Sequence, residues 1–229
     1  MIQYALFDLD ETLYPREAGV LQAIGSRIEG YLIARLEMAP EEAKRLRAEY
    51  RARYGTTLAG LLAHHAVDAE DYLAYVHAVP VENLLQPNAE LGAALGALPW
   101  EPVIFTNSDR RHTERVLNAL GVRRYFARIF DITAMGYRQK PDPLAYRHVL
   151  AALGVAGTAC LLVDDSLCNL QAAKAWQMTT VWVGRDAAPA EGVDYWIARA
   201  ADITGVSARI CAKEQRLPDP KRAHGCGET

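Results

Sequence analysis

The stretch Asp8-Leu9-Asp10-Glu11-Thr12-Leu13 follows the apolar run at 4–7, and its two aspartates decide how the rest of the sequence is interpreted. Asp8 and Asp10 are two positions apart, so their side chains share one face of an extended backbone. Two carboxylates about 4 Å apart repel each other by about 4 kcal/mol at an effective dielectric constant of about 20. Such a pair needs a cation or a proton, which makes the end of this first strand a candidate metal or acid–base site.

Polar side chains also follow two later apolar runs. Thr106-Asn107-Ser108 follows the run at 103–105, Asp164-Asp165-Ser166 follows the run at 160–163, and Lys140-Pro141 lies between them. The carboxyl ends of parallel strands gather at one edge of an open sheet, where ligands bind. Four carboxylates, a hydroxyl and a lysine then converge on one crevice. This set predicts a phosphoryl-transfer site, with Mg²⁺ as the cation because Mg²⁺ prefers oxygen ligands and phosphate.

Each segment by itself has a simpler interpretation. Either acidic pair is also typical of a helix cap or a turn, and Thr106 with Asn107 is typical of a helix N-terminus. Backbone N–H groups at such a terminus favour an anion, which makes Thr106 and Asn107 candidates for binding phosphate. Lys140 carries a flexible point charge that suits phosphate, although a single lysine is more often solvated. The functional interpretation therefore depends on the segments occurring together.

Strand-like runs alternate with helical segments in the second half of the chain, which predicts parallel βαβ units. Asp109 or Ser108 is expected to cap a helix that runs through Leu120 and stops at Gly121, and Asp142 a helix that runs from Pro143 to Leu153. Strands are predicted at 4–7, 103–105, 129–130, 160–163, 180–183 and 194–197. A last helix is predicted at 198–203.

Residues from about 20 to 79 interrupt this alternation with helical spacing alone. Connections between strands of a parallel sheet are normally much shorter, so this segment is interpreted as an inserted helical cap. The predicted division is a core of residues 1–15 plus 83–206, a cap of 16–82, and a poorly ordered polar tail of 207–229.

Composition excludes several classes of protein. The 229 residues carry a net charge of -3 without a long basic block, so no nucleic-acid polymer is expected as a partner. No signal peptide and no membrane-spanning run is recognised, which predicts a cytoplasmic protein. The four cysteines form no Cys-x-x-Cys pair, so a structural zinc site is not expected. His64 and His65 are interpreted as surface residues, and His112 and His148 as helical residues that face solvent or pack.

The order and spacing of these motifs over about residues 1–186 resemble the haloacid dehalogenase superfamily of phosphatases. Motif one is the stretch from Asp8 to Thr12, motif two is Thr106, motif three is Lys140, and motif four is Asp164-Asp165. The resemblance implies an α/β fold, a Rossmann-like doubly wound parallel sheet with an all-helical cap inserted after the first strand.

The resemblance also implies a role for each motif residue. Asp8 would be the nucleophile that forms an aspartyl-phosphate, and Asp10 would act first as general acid and then as general base. Thr106 and Lys140 would hold the phosphoryl group. The implied ligands of Mg²⁺ are Asp8, the backbone carbonyl of Asp10, Asp165, and Asp164 either directly or through a bound water.

A narrower similarity is to the pyrimidine 5'-nucleotidase branch, carried by the stretch from Asp8 to Tyr14 and by Thr106-Asn107-Ser108 with His112. It implies a small phosphorylated metabolite, a nucleoside 5'-monophosphate, as the substrate. The alternatives are a phosphatase of phosphoglycolate or of a sugar phosphate, a phosphomutase, or a non-catalytic binding protein on the same fold. A haloacid dehalogenase is disfavoured, because dehalogenases of this superfamily lack an acid at the position of Asp10.

Overall fold

Six strands form one parallel sheet in the computed structural model of the chain, which describes residues 1–215. The strands are β1 (Tyr4–Phe7), β2 (Glu101–Phe105), β3 (Arg128–Phe130), β4 (Cys160–Asp164), β5 (Thr179–Val183) and β6 (Tyr195–Ile197). Their order across the sheet is β3-β2-β1-β4-β5-β6, and every neighbouring pair is parallel. This is the doubly wound Rossmann-like order, which confirms the predicted fold class. The order reverses between β1 and β4, where open α/β sheets bind ligands.

Helices lie in every connection between consecutive strands except the connection from β5 to β6. They are α1 (Val20–Leu36), α2 (Pro40–Tyr54), α3 (Thr57–His64), α4 (Ala69–Val76), α5 (Val81–Leu84), α6 (Ala89–Gly96), α7 (Arg110–Ala119), α8 (Pro143–Leu153), α9 (Leu167–Lys174) and α10 (Ile203–Gln215). None of these helices, which cover the part of the chain up to residue 215, has the combined length and apolar character that a membrane crossing requires.

The side chains of the central strands alternate between two apolar layers. In β1, Ala5 and Phe7 join one layer and Leu6 joins the other, and all three are fully buried. Apolar residues of α6, α7 and α10 cover the first layer, whereas those of α8 and α9 cover the second. Because β1 and β4 are buried on both faces, the residues that follow them are held firmly at the carboxyl edge of the sheet.

Polar caps fix where the helices beside this edge begin. The Asp109 side chain accepts a hydrogen bond from the backbone N–H of His112 at 2.7 Å, and α7 starts directly after it. The Asp142 side chain accepts from the backbone N–H of Leu144 at 2.9 Å, with Pro143 in the first turn of α8. Both caps confirm the boundaries expected from sequence.

The segment at 16–82 is helical throughout in its regular elements. Helix α1 packs against α2 and α4, and the rings of Tyr31 and Tyr72 meet edge to face with 5.0 Å between their centroids. Tyr50 of α2 lies against Gly60 of α3 so closely that a Cβ at Gly60 would stand 2.3 Å from the tyrosine ring. We propose that 16–82 act as a cap over the core formed by 1–15 and 83–206.

The end of the chain differs from the sequence prediction. A helix was expected at 198–203, but a short 3-10 turn at Ala200–Asp202 leads into α10, which runs to Gln215. Residues 207–215, predicted to belong to a poorly ordered tail, are therefore helical. Ile203, Val206 and Ile210 are buried at helical spacing, and the polar residues between them obscure this pattern in the sequence. The rest of the predicted tail, residues 216–229, lies outside the described residues.

Candidate active site

A buried lysine lies between two buried carboxylates at the sheet edge where β1 meets β4. Lys140 Nζ is 2.8 Å from Asp8 Oδ1 and 2.6 Å from Asp164 Oδ2. The side chains of Lys140 and Asp164 are both 0% exposed. Burial by itself lowers the pKa of Lys140, but attraction to Asp164 and Asp8 outweighs burial and raises that pKa above its ordinary value. The ammonium group therefore stays charged and neutralises part of the acidic cluster.

Asp8 and Asp165 are the two carboxyl groups of the cluster whose ionised forms this site disfavours. Burial is the main cause that raises the pKa of Asp8 well above its ordinary value, and Lys140 offsets it only in part. Burial and the nearby charge of Asp164 raise the pKa of Asp165 to about 7. One lysine is thus insufficient for three crowded carboxylates, so this edge of the sheet favours a further cation.

The acidic cluster has the donor set that a hard divalent cation requires. Asp8, Asp164 and Asp165 each offer a carboxylate oxygen, and these oxygens lie within 4.8 Å of one another. Asp164 has the most hydrogen-bond donors of the three, because it also accepts from the backbone N–H of Ser166 and from Asn169 Nδ2. An all-oxygen site of this kind fits Mg²⁺.

The Asp10 carboxylate lies outside that cluster and has three donors of its own. It accepts hydrogen bonds from Tyr14 Oη at 2.5 Å, from Ser108 Oγ at 2.5 Å, and from His112 Nε2 at 2.9 Å. Burial by itself would raise the pKa of Asp10, but His112 and the hydrogen bonds from Ser108 and Tyr14 lower it below the ordinary range. These contacts hold the Asp10 side chain apart from the acidic cluster, and the resemblance implies a metal role for its backbone carbonyl alone.

Motif two reaches the same edge through β2. Thr106 is buried directly after β2, and its Oγ1 accepts from the backbone N–H of Ser108 at 3.1 Å. The Asn107 amide forms two hydrogen bonds with the Lys140 backbone, to the carbonyl oxygen at 2.9 Å and from the N–H at 2.8 Å. The Asn107 side chain thus holds the loop that carries Lys140, and the Lys140–Pro141 peptide bond in that loop is cis.

A cavity of about 1030 Å³ opens over these residues. Its wall on the core side contains the predicted site residues Asp8, Asp10, Thr106, Asn107, Lys140 and Asp165. The opposite wall comes from the helical segment and includes Arg47, Arg51 and Arg53 of α2. Thr56 Oγ1 donates to Gln139 Oε1 at 2.6 Å, which ties this second wall to the loop before Lys140. The structure therefore brings residues of the distant motifs to one cavity.

Sequence analysis placed His112 beside motif two but did not predict its contact with Asp10. It was expected to face solvent or to pack, but it is buried and hydrogen-bonded to Asp10. Its position in the first turn of α7, three residues after the Asp109 cap, turns it toward the carboxyl edge of the sheet. An N-cap that immediately follows a strand end is the sequence signal that places such a residue near the site.

Comparison with known proteins agrees with this geometry. The family description haloacid dehalogenase-like hydrolase matches residues 2–176. The chain belongs to this family. It is 27% identical over 188 residues to phosphate metabolism protein 8 of Saccharomyces cerevisiae, a match that covers 73% of this chain and 57% of the yeast protein. It is 27% identical over 182 residues to 6-phosphogluconate phosphatase of Escherichia coli, covering 74% of this chain and 77% of that enzyme.

Other known proteins resemble the chain over shorter stretches or in fold alone. Phosphoglycolate phosphatase of Neisseria gonorrhoeae is 36% identical over 90 residues, 39% of this chain and 38% of that enzyme. A phosphatase from Thermococcus onnurineus superposes with a TM-score of 0.60 at 21% identity, covering 90% of this chain and 97% of that one. L-2-haloacid dehalogenase from Xanthobacter autotrophicus gives a TM-score of 0.59 at 20% identity, with 91% and 99% covered. At 20–21% identity, these structural similarities support the assignment of the fold alone.

Proposed function

We propose that the protein is a Mg²⁺-dependent phosphomonoester hydrolase that works through an aspartyl-phosphate on Asp8. The observation that carries this proposal is the buried lysine shared by Asp8 and Asp164, with Asp165 beside them and Asp10 on the same wall of the cavity. A phosphate dianion entering this site meets a lysine ammonium, the Thr106 hydroxyl and a cluster of carboxylates that would hold a divalent cation. Mg²⁺, when bound by Asp8, Asp165 and the Asp10 carbonyl, supplies the positive charge that lets phosphate approach carboxylate.

The proposed reaction has two displacements at phosphorus. In the first, an Asp8 oxygen forms a bond to phosphorus, the ester oxygen leaves, and Asp10 gives that oxygen its proton. In the second, Asp10 takes a proton from water, whose oxygen displaces Asp8 and releases inorganic phosphate. The lowered pKa keeps Asp10 ionised, which the base step requires. A bound phosphate raises the pKa of Asp10 toward the acid step, because nearby like charge favours the protonated form.

The resemblance to the pyrimidine 5'-nucleotidase branch makes a nucleoside 5'-monophosphate the first candidate substrate. The cap wall of the cavity favours a second candidate, a phosphoester whose leaving group carries a carboxylate. Arg47 is paired with Glu29 at 2.8 Å, whereas Arg51 and Arg53 have no acidic partner within 4.0 Å among residues 1–215. A guanidinium group binds a carboxylate through two parallel hydrogen bonds. The esters in the names of two relatives, 6-phosphogluconate and phosphoglycolate, both carry a carboxylate.

The reaction class is tested by phosphate release from p-nitrophenyl phosphate. We expect turnover with Mg²⁺ and none in EDTA, and we expect Asp8→Asn to abolish turnover while the circular dichroism spectrum is preserved. Asp186→Asn, at an exposed aspartate, is the matched control and should keep wild-type activity. Full activity in EDTA would contradict the metal role, and an active Asp8→Asn variant would contradict the nucleophile. Transfer of phosphate to an added alcohol without its release would indicate a phosphomutase.

The substrate class is tested with a panel of UMP, CMP, phosphoglycolate and 6-phosphogluconate. If the cap arginines bind a carboxylate, Arg51→Met raises KM for the two carboxylated esters about tenfold or more and leaves KM for UMP nearly unchanged. Arg45→Met is the matched control, because Arg45 is an exposed residue of the same helix that does not line the cavity. A preference for UMP or CMP with no effect of Arg51→Met would favour the nucleotidase candidate.

A further inference from the structure

The His112 side chain has a single polar partner, although it is completely buried. Its Nε2 lies 2.9 Å from Asp10 Oδ1, and its Nδ1 has no hydrogen-bond partner within residues 1–215. Buried histidines whose role is only structural normally have both ring nitrogens satisfied, because an unpaired buried polar atom is costly. The ring is therefore directed to Asp10 rather than to the core around it.

Two residues hold the His112 ring in place from the opposite side. The Asp109 carboxylate accepts from the His112 backbone N–H at 2.7 Å and is 2.6 Å from His77 Nδ1. His77, which directly follows α4, stacks on the His112 ring with 4.6 Å between centroids and 18° between planes. The imidazole is thus fixed at its backbone and on one face before it reaches Asp10.

We propose that His112 is a positioning residue that aims the Asp10 carboxylate at the leaving oxygen of the substrate, an inference that rests on the proposed phosphatase function. Tyr14 shares Oδ1 of Asp10 with His112, and Ser108 holds Oδ2. One donor from the loop of Asp10 and two from the segment between β2 and the first turn of α7 define one orientation of the carboxylate, and without His112 Oδ1 keeps only the donor from its own loop. A general acid must lie within hydrogen-bond reach of the oxygen that it protonates. His112 exchanges no proton in this proposal. The proton passes from Asp10 to the ester oxygen while the Asp8–phosphorus bond forms and the phosphorus–ester bond breaks.

The test compares two kinds of leaving group. We expect His112→Leu to lower kcat about 10- to 100-fold with KM nearly unchanged, since general acid–base catalysis contributes about 10²- to 10⁴-fold and only part of it is lost. The loss in kcat/KM should be several-fold larger for the best alkyl ester of the panel than for p-nitrophenyl phosphate, whose leaving group needs little protonation. His112→Gln, which keeps an N–H near the Nε2 position, should restore most of the activity. A packing defect would instead lower kcat/KM equally for both substrates, and His112→Gln would not restore it.

A double-mutant cycle with Asp10→Ala separates positioning from other roles. If His112 acts through Asp10, His112→Leu has no further effect on p-nitrophenyl phosphate turnover in the Asp10→Ala background. A full additional loss there would overturn the proposal. His148→Leu, at an exposed histidine of α8, is the matched control and should leave kcat and KM unchanged.

The wild type and the three variants of this cycle also report on the contact between His112 and Asp10 when no ester is turned over. In urea unfolding, Asp10→Ala should at least halve the shift of the midpoint that His112→Leu causes in the wild-type background. If wild-type protein releases phosphate from no ester, the proposed function fails while this cycle still measures the coupling of His112 to Asp10. Additive midpoint shifts would overturn the positioning role whatever the activity.

Discussion

Replacing Lys140 with methionine tests the electrostatics on which the proposed site depends. Methionine has nearly the same length and volume, so Lys140→Met removes the ammonium group without opening a large cavity. The substitution leaves Asp8 and Asp164 without the partner that lies 2.8 Å and 2.6 Å from their oxygens. Because the lysine and Asp164 side chains are 0% exposed, water cannot replace the lost interaction.

The expected destabilisation follows from this burial. Removing one partner of a buried ion pair costs about 3–5 kcal/mol, because the other charge stays buried without compensation. For a chain of this size, 1 kcal/mol corresponds to about 2–4 °C, so the melting temperature should fall by about 6–20 °C. Burial raises the pKa of Asp8, and Lys140 partly offsets this effect. Without Lys140 the pKa of Asp8 rises further, and protonation of Asp8 then limits the loss of stability. The difference between variant and wild type should therefore be largest at high pH and shrink as the pH falls.

The assay is thermal unfolding in EDTA, followed by circular dichroism at several pH values. Lys174→Met is the matched control, because Lys174 also pairs with a carboxylate, Asp194, at 2.8 Å, but its side chain is 38% exposed. Exposed pairs contribute about 0–1 kcal/mol, so this control should melt within a few degrees of the wild type. Equal effects of the two substitutions, or a Lys140→Met variant as stable as the wild type, would refute the argument from burial.

Two further predictions concern the metal and the close approaches of the backbone. Because the pKa of Asp165 is raised to about 7 in the folded protein, Asp165 stays protonated there at pH values at which the unfolded chain has already lost this proton. Ionising Asp165 then costs the folded state stability, so without metal the melting temperature should fall as the pH rises from about 5 to about 8. Mg²⁺ should then raise the melting temperature more at about pH 8 than at about pH 5, and an equal increment at both would count against Asp165 as a ligand. Gly157→Ala should destabilise by more than about 2 kcal/mol in urea unfolding, because its Cβ would stand 1.9 Å from the Trp176 carbonyl oxygen. Gly205→Ala, in an open position of α10, should instead stabilise by about 0.5–1 kcal/mol, and a destabilising result would contradict the helix-propensity argument.

The parts of the fold that the sequence predicts well are those with strong local signals. The buried runs that became β1 and β4 are continuous and apolar, and only a strand covered on both faces requires such a pattern. The caps at Asp109 and Asp142 are also local, since each side chain bonds to an N–H two or three residues ahead. Helix α10 was missed because its buried positions are separated by polar residues and its start is a 3-10 turn without a clear signal.

The surroundings of the candidate site depend instead on which loops meet, and no local pattern encodes that. Ser108 and His112 reach Asp10 across 98 and 102 residues of sequence. The Asn107 side chain, expected from its type to bind phosphate, is engaged with the backbone of Lys140, 33 residues away. Motif spacing can place such residues at one edge of a sheet, but their hydrogen-bond partners follow only from the packing of that edge.

Helix α2 has the sequence pattern of a cavity wall rather than of a helix packed into a core. Its apolar positions are sparse, and only Ala43 and Tyr50 are buried, so this helix contributes few side chains to the core. A helix that serves as one wall of a cavity needs just such a pattern, with one narrow face packed and another left polar. The polar face carries three arginines toward a core wall rich in carboxylates. In the proposed function the core side holds the phosphate and α2 faces the leaving group, so substitutions on α2 should change KM among esters before they change kcat.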